Sequence, residues 1–341
     1  MNNKCIIIGG EIAALRAARE LTANGVPVIL INPSNELGET TKMFQRGISD
    51  FAYNTDILSP YLKEVSSNPK VVIHNKIQIT KVIKSNPPFE VEIEHKGATR
   101  NLISNTVIFA SGFDVFNGEL LEEYGYGILE GVITVFDLET AFNKERLPIN
   151  EETERVVFIL CVGSRNQRVG VNPDCSAYCC SYSINQALHI KKEFPEVEVV
   201  IMYMDIRTVA NHEYLYNEAR KSGVLFIRGR PSAIERSEDK LITFYEDTLS
   251  ESQDLRPADL VVLAVGGIPK RGFDEVAQNF GLELTPNGFV KITEKPVFTS
   301  TPGVFACGSA CEGVKNIQQS LSEGGAAAMA VIQFLTENKE I

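Results

Sequence analysis

The sequence has few of the features that mark nucleic-acid-binding, membrane or secreted proteins. Its 33 Lys and Arg are outnumbered by 44 Asp and Glu, giving a formal net charge of −11, whereas phosphate binding depends on clustered cations. Residues 1–10 contain one lysine and a short apolar run that enters two glycines, which fits neither a signal peptide nor a transmembrane helix. We therefore predict a cytoplasmic protein with no membrane span and no nucleic-acid partner.

Histidine is scarce as well, and the cysteines do not suit a disulfide framework. The four histidines are scattered, with no cysteine at ligand spacing, so we expect no histidine-based metal or catalytic site. Seven cysteines, an odd number, occur in 341 residues. That usage favours metal or redox chemistry in a reducing compartment over a secreted disulfide scaffold.

The first βαβ unit carries a modified dinucleotide fingerprint. An apolar strand at 4–8 ends in Gly9 and Gly10, a helix follows at 12–21, and a second strand occupies 26–31. Ala14 stands in place of the fingerprint's third glycine and Glu11 in place of its second. A carboxylate at this helix N-terminus would repel a pyrophosphate, so we predict that Glu11 turns away. The alternative is a tight structural turn that binds no ligand.

One other fingerprint position and three later segments also bear on whether the first βαβ unit binds a dinucleotide. Asn32 replaces the acid expected at the ribose. Residues 109–112 and 263–267 both end apolar strands in small residues, as in flavoproteins with two dinucleotide folds. Residues 301–310 resemble the closing FAD motif of the pyridine nucleotide-disulfide reductase superfamily, although a plain core strand is the other interpretation. The resemblance implies that the next helix, from Asn316 and Ile317, points its N-terminus at a flavin.

A cluster of cysteines follows the strand at 156–160. Cys161 lies at its carboxyl end, and the sequence predicts that Cys175, Cys179 and Cys180 occupy the first turns of a helix reaching about Phe194. Four thiolates can hold a 4Fe-4S cluster or a zinc ion. A strained disulfide between the adjacent cysteines and chance burial are the alternatives.

The same cysteines occupy the place where a second dinucleotide domain would carry its glycine loop. Residues 161–165 read Cys-Val-Gly-Ser-Arg, so we expect no hydride transfer from a nicotinamide cofactor at this domain. Two competing hypotheses remain open. One is a stand-alone NAD(P)H-dependent flavin disulfide reductase that uses Cys307 and Cys311, and the other is a zinc-bearing scaffold without activity.

With these residues considered together, the chain resembles the HdrA family, the flavoproteins of heterodisulfide reductase, over nearly its whole length. The resemblance rests on motifs that span the chain: residues 124–127, 161–165, 172–173, Cys175, Cys179 and Cys180, 203–207, 226–231 and 315–317. It implies a thioredoxin-reductase-like α/β fold of two Rossmann-like domains, with FAD and a 4Fe-4S cluster near the flavin. It also implies an oxidoreductase that transfers electrons to HdrB-like and HdrC-like subunits, and a homodimer.

The departures from the family narrow this expectation. Residues 49–62 contain no cysteine, unlike the methanogenic members, and the chain resembles the short form found in the complex of sulfur oxidisers. Asn185 stands where bifurcating members place a lysine near the flavin, so we predict a non-bifurcating electron relay, with the alternative that Asn185 only packs.

The resemblance and the motifs together define predicted domains and sites. We predict a discontinuous FAD domain at 1–112 and 257–341, with a cysteine-bearing domain inserted at 113–256. The predicted iron-sulfur ligands are Cys161, Cys175, Cys179 and Cys180. The predicted FAD-binding residues are Gly9, Gly10, Ala13, Ala14, Asn32, Gly38, Ile79, Ser111, Gly112, Gly308, Ser309, Asn316 and Ile317.

Overall fold

A computed structural model describes residues 4–44, 54–95, 97–144, 146–168, 172–208 and 212–338. The strands are β1 Cys5–Ile8, β2 Val28–Asn32, β3 Val71–Asn75, β4 Ile79–Lys84, β5 Phe89–His95, β6 Ala98–Ser104, β7 Thr106–Phe109, β8 Phe113–Val115, β9 Val132–Thr134, β10 Arg155–Val162, β11 Glu198–Tyr203, β12 Leu225–Arg228, β13 Ala233–Ser237, β14 Lys240–Asp247, β15 Ser252–Ala258, β16 Leu260–Val265, β17 Gly267–Pro269 and β18 Val304–Ala306. The helices are α1 Ile12–Ala23, α2 Glu39–Met43, α3 Asn54–Ser67, α4 Val135–Asn143, α5 Cys179–Glu193, α6 Glu213–Lys221, α7 Phe273–Asn279 and α8 Ile317–Glu337.

The chain divides into two compact units, and the first is built on a parallel sheet. It comprises the described residues of Met1–Gln45, Tyr53–Asp114 and Ile268–Ile341. Its strands lie in the order β18-β7-β1-β2-β3, and β1, β2 and β7 are buried at every position. Continuous burial is what a parallel strand covered on both faces requires, which explains the unbroken apolar runs of the sequence.

Helices α1 and α8 pack closely against each other over this sheet. A Cβ placed on Gly324 of α8 would lie 2.4 Å from the carbonyl oxygen of Ala13 on α1, so a glycine is required at that crossing. Alanines Ala327 and Ala328 are fully buried beside it. The small residues of α8 therefore serve helix packing, and within the described ranges no helix is long and apolar enough to cross a membrane.

The second unit repeats the plan, and each unit also has a three-stranded antiparallel sheet, β4-β5-β6 in the first unit. It comprises the described residues of Val115–Gly267, with a five-stranded parallel sheet in the order β12-β11-β10-β16-β9 and a meander of β13, β14 and β15. Strand β10 is buried throughout except at Arg155. The prediction of two Rossmann-like domains is confirmed.

The limits of the units differ from the predicted ones. The chain passes into the second unit after Asp114 and returns after Gly267, whereas the sequence predicts crossings after residues 112 and 256. The larger difference arises because β16 pairs in parallel with β10 along Val156–Val162. Residues 257–267, which include β16, therefore fall in the inserted unit.

Candidate functional site

In the first unit, the turns with the predicted glycines meet at the carboxyl ends of three neighbouring strands. Gly9 has φ +126°, and a Cβ there would lie 2.0 Å from the carbonyl oxygen of Ala110. Gly308, with φ +66°, would bring a Cβ within 2.8 Å of the Ala13 methyl group. Both close approaches exclude any side chain. The turns after β1, β7 and β18 are thereby brought together at the N-terminus of α1, as the fingerprint predicts, with Ser111 and Gly112 in the turn after β7.

Glu11 lies at the N-cap of α1 but does not cap that helix. Its carboxylate accepts hydrogen bonds from the backbone N–H groups of Thr40 (2.9 Å) and Thr41 (3.1 Å) and from the Thr41 hydroxyl (2.9 Å). These groups belong to the first turn of α2, whose own N-cap is Gly38, a residue with no side chain to offer. The carboxylate makes no hydrogen bond to the first turn of α1 and instead supplies the cap that α2 lacks. That Glu11 turns away from a bound pyrophosphate stays a prediction.

The Asn32 side chain is buried and organises the loop that follows β2. Its amide donates to the carbonyl oxygens of Ser34 (3.2 Å) and Glu36 (3.0 Å) and to the side-chain oxygen of Asn75 (2.9 Å). Its oxygen accepts the Ser34 N–H at 3.3 Å. Since both ends of the amide are engaged, a ribose contact would be an additional one, and Asn32 as a cofactor ligand stays a prediction.

The remaining predicted residues are distributed over several elements of the first unit. Gly38 begins α2 with φ +71°, Ile79 is the first residue of β4, and Ala13 and Ala14 are buried on α1. Asn316 caps α8 by accepting the Gln319 N–H at 2.8 Å and completes a capping box. Helix α8 thus begins where the sequence predicts, with Ile317 as its first residue.

A partly buried ion pair between Lys315, in the turn before α8, and Glu323 on α8 was not expected from the sequence. The Lys315 ammonium lies 2.7 Å from the Glu323 carboxylate and 3.3 Å from the Cys311 sulfur. The same carboxylate accepts the Gly308 N–H at 2.8 Å. An ion pair that also binds a backbone donor fixes the closing motif to α8. Eight residues separate the pair, which is too far for a helix-spacing rule to reveal it.

Cys307 and Cys311 are poorly suited to thiol chemistry. Both are free thiols and are at most 1% exposed. Burial raises the pKa of Cys311 to about 12, although the Lys315 charge opposes the shift, and burial also raises the pKa of Cys307. Thiols of this kind stay protonated at neutral pH and are weak nucleophiles.

In the second unit, the predicted cysteines gather at the carboxyl end of β10. Cys161 has φ +61°, and the pairing of β10 with β16 is irregular between Ile159 and Val162. A left-handed residue at a bulge is a strained conformation that re-aims its side chain. Burial raises the pKa of Cys161, while the Arg165 guanidinium lowers it.

The prediction that Cys175 shares a helix with Cys179 is wrong. Helix α5 begins at Cys179, and Ala177, with φ +59°, lies between the two cysteines. A left-handed residue cannot belong to a right-handed helix. Cys175 lies in the preceding loop, where its sulfur accepts the Ala177 N–H at 3.3 Å.

Hydrogen bonds hold this loop against the end of β16. The Ser176 hydroxyl accepts the Gly267 N–H at 2.9 Å, and the Asn172 amide donates to the Gly267 carbonyl at 2.9 Å. A Cβ on Gly266 would lie 2.6 Å from the Ser176 oxygen. The small residues that end β16 therefore make room for the cysteine loop.

The four thiols interact electrostatically with one another. Burial is the main cause that raises the pKa of Cys179 well above its usual value and that of Cys180 to about 12, and the thiols of Cys161 and Cys175 raise both further. A bound metal cation would lower these pKa values, because a thiol that coordinates a metal is deprotonated. Within the ranges that the structure describes, no three Cys, His, Asp or Glu side chains are placed to hold a single metal ion.

The fold and both groups of residues define the class of protein. The chain matches the family described as pyridine nucleotide-disulphide oxidoreductase over residues 3–324 and belongs to it. It is therefore an oxidoreductase of this family, which also supports FAD as its cofactor.

Curated relatives give the closer comparison, and the resemblance to the HdrA family is confirmed. The iron-sulfur A component of the CoB–CoM heterodisulfide reductase of Methanocaldococcus jannaschii is 31% identical, covering 97% of this chain and 64% of the relative. The A component of the ferredoxin:CoB-CoM heterodisulfide reductase of Methanosarcina acetivorans is 25% identical, covering 99% and 57%. The chain therefore spans less than two thirds of these relatives.

Solved structures agree on the fold. The thioredoxin reductase of T. acidophilum superposes with a TM-score of 0.68 at 18% identity, covering 96% of this chain and 97% of that one. At this identity the similarity concerns the fold alone.

Proposed function

We propose that this chain is an electron-transfer flavoprotein that binds FAD in its first unit and a 4Fe-4S cluster at Cys161, Cys175, Cys179 and Cys180 in its second. The observation that carries the proposal is the gathering of four thiols at the sheet edge where a nicotinamide-binding domain needs a glycine loop. A flavin exchanges two electrons and a cluster exchanges one, so the pair suits a relay.

The residues of the first unit fit FAD. The turn after β1 has a glycine that no other residue can replace, since a Cβ on Gly9 would meet the backbone at 2.0 Å, and the N-terminus of α1 offers free N–H groups to a pyrophosphate. Glu11, whose carboxylate would oppose such a ligand at the N-terminus of α1, is engaged by α2. The capped N-terminus of α8 offers a second positive dipole end.

Four cysteine thiolates can hold either a 4Fe-4S cluster or a structural zinc ion. The Methanocaldococcus jannaschii relative is named as an iron-sulfur subunit, which favours the cluster. The Cys175 sulfur already accepts a backbone N–H, a contact that stabilises thiolate charge in such sites.

The relatives are subunits of heterodisulfide reductase complexes, which supports the proposal that this chain works with partner subunits. We propose partners resembling the HdrB and HdrC components, a homodimer, and a role in sulfur oxidation. We also propose a non-bifurcating relay, because Asn185 on α5 is a neutral residue and gives no positive charge to stabilise reduced flavin. The alternative, a stand-alone reductase using Cys307 and Cys311, is disfavoured by the burial and raised pKa of both thiols.

Paired cofactor analysis of cysteine variants tests this function. We expect Cys179→Ala or Cys180→Ala to lose most of the iron and keep most of the FAD, because the two sites belong to separate units. The matched control is Cys5→Ala, whose thiol is buried in β1 of the first unit and should leave iron unchanged. Iron and flavin are measured on one sample. Iron retained at wild-type content in both variants would refute the cluster assignment.

A further inference from the structure

A cavity of about 420 Å³ opens beside the carboxyl end of β12 in the second unit. Its walls include the side chains of Tyr203, Arg228, Arg230, Glu246 and Thr248. The volume lies within the range of small-molecule sites in proteins. Residues 226–231 belong to a motif of the chain that the electron-transfer function leaves without a role.

The two arginines of the cavity have no carboxylate partner among the described residues. None of the ion pairs formed within those ranges includes Arg228 or Arg230, whereas Arg165 and Arg168 of the same unit are paired with acidic side chains. The chain as a whole carries a net charge of −11. Two unpaired guanidinium groups in one cavity of an acidic protein attract an anion.

A buried phenol holds Arg230 in place. Tyr124 is 1% exposed, and its hydroxyl donates to the Pro231 carbonyl oxygen at 3.1 Å. The same hydroxyl accepts a hydrogen bond from the Arg230 Nε at 3.1 Å. This contact uses one edge of the guanidinium, and the two terminal nitrogens make no hydrogen bond to a described residue. Fixing the side chain in advance reduces the entropy that ligand binding would cost.

The backbone between the arginines is fixed as well. A Cβ on Gly229 would lie 2.2 Å from the Glu246 carbonyl oxygen, so only glycine allows the two segments to approach this closely. The N–H and hydroxyl of Thr248 both donate to the Arg228 carbonyl oxygen, at 2.9 Å and 2.7 Å. The Arg228 Nε in turn donates to the Met204 carbonyl oxygen at 3.3 Å. The spacing of the two arginines is thus built into the fold.

The chemistry of the walls indicates the ligand. Guanidinium groups bind phosphates and carboxylates through two parallel hydrogen bonds. The Glu246 carboxylate and the Thr248 hydroxyl can accept hydrogen bonds from donors elsewhere on the ligand, and the Tyr203 ring offers an apolar face. A cavity of this volume holds a molecule larger than an inorganic ion.

We propose that the cavity between Arg228 and Arg230 binds a small organic molecule through a phosphate or carboxylate group. None of the cavity residues is a predicted flavin or cluster ligand, although burial raises the pKa of Cys161 and the Arg230 charge acts to lower it. The site places the ligand in the same unit as the cysteines.

Calorimetric titration of the full, FAD-loaded chain tests the proposal. Pyrophosphate and citrate are titrated separately at constant ionic strength, and we expect saturable one-to-one binding of at least one probe. Pyrophosphate alone would identify a phosphate ligand and citrate alone a carboxylate ligand. Arg228→Gln and Arg230→Gln should each raise the Kd at least about tenfold. Saturable heat with neither probe would overturn the proposal.

Three further variants separate the site from general charge effects. Arg236→Gln is the matched control, because Arg236 is exposed and its guanidinium is bonded to the Glu130 carbonyl; its Kd should equal that of the wild type. Arg228→Lys keeps the charge but loses the planar fork, and should still weaken binding. Tyr124→Phe removes only the phenolic hydroxyl that fixes Arg230 and should raise the Kd several-fold. Equal weakening in Arg236→Gln and Arg228→Gln would overturn the proposal.

Discussion

Replacement of Glu11 distinguishes two opposite interpretations of the modified fingerprint. If the carboxylate faced the FAD pyrophosphate at about 4 Å, an effective dielectric constant of about 20 would give a repulsion of about 4 kcal/mol. Removing the charge would then tighten FAD binding roughly a thousandfold. In the structure the carboxylate instead accepts three hydrogen bonds from Thr40 and Thr41. We therefore expect Glu11→Gln to change the Kd of FAD by less than about threefold.

The same contacts predict a loss of stability. A hydrogen bond to a charged group contributes about 1.5 to 3 kcal/mol, but the Glu11 carboxylate is partly exposed, and removing a helix cap typically costs about 1 kcal/mol. For Glu11→Gly, which restores the fingerprint's second glycine, we expect destabilisation by about 2 kcal/mol. Glu11→Gln keeps an acceptor and should lose about half of that.

The assay combines FAD fluorescence titration with urea unfolding of the apoprotein. Glu39→Gln is the matched control, because it removes a carboxylate from the first turn of α2 without breaking the three bonds. FAD binding more than about tenfold tighter in Glu11→Gln or Glu11→Gly, without loss of stability, would show that the carboxylate faces the cofactor and refute the reasoning.

Three other outcomes follow from the structure. NADH and NADPH should bleach the flavin slowly or not at all in anaerobic absorbance measurements, because cysteines occupy the place of the glycine loop; rapid bleaching would revive the reductase hypothesis. Burial raises the pKa of Cys5 to about 12, so the thiol ionises more readily in the unfolded chain than in the folded one. The contribution of the protonated thiol to the free energy of unfolding is therefore complete below pH 9 and is lost between pH 9 and 12. Urea unfolding across that range should show a shallower alkaline decline for Cys5→Ala, by up to about 1.4 kcal/mol per pH unit, and parallel curves would contradict the shift. A double-mutant cycle on Lys315 and Glu323 should give a coupling of about 1 kcal/mol, against nearly none for the exposed pair Lys291 and Glu283; equal couplings would argue against a structural role.

The sequence predicted the strands and turns that local chemistry determines. Continuous apolar runs at β1, β10 and β16 were enough to predict buried strands, and the structure shows that these strands are parallel. The electrostatic cost of a carboxylate at a phosphate-binding turn led to the prediction that Glu11 turns away, and its hydrogen bonds to α2 are consistent with that prediction. The start of α8 near Asn316 and Ile317 was predicted from the resemblance to the closing FAD motif, and in the structure Asn316 caps that helix.

Features that depend on tertiary contacts could not be predicted in the same way. The left-handed backbone of Ala177 removes Cys175 from α5, and no property of alanine indicates it, because the Ser176 hydroxyl and the end of β16 determine the loop. Helix α3 contains Pro60, which argues against a helix on local grounds. The ion pair of Lys315 with a carboxylate eight residues later depends on how the turn packs against α8.

Anaerobic analysis of iron, acid-labile sulfide, zinc and flavin in the purified chain tests the central claim most directly. The account predicts about four iron and four sulfide per chain, together with one FAD. Zinc with no labile sulfide, at any flavin content, would contradict it.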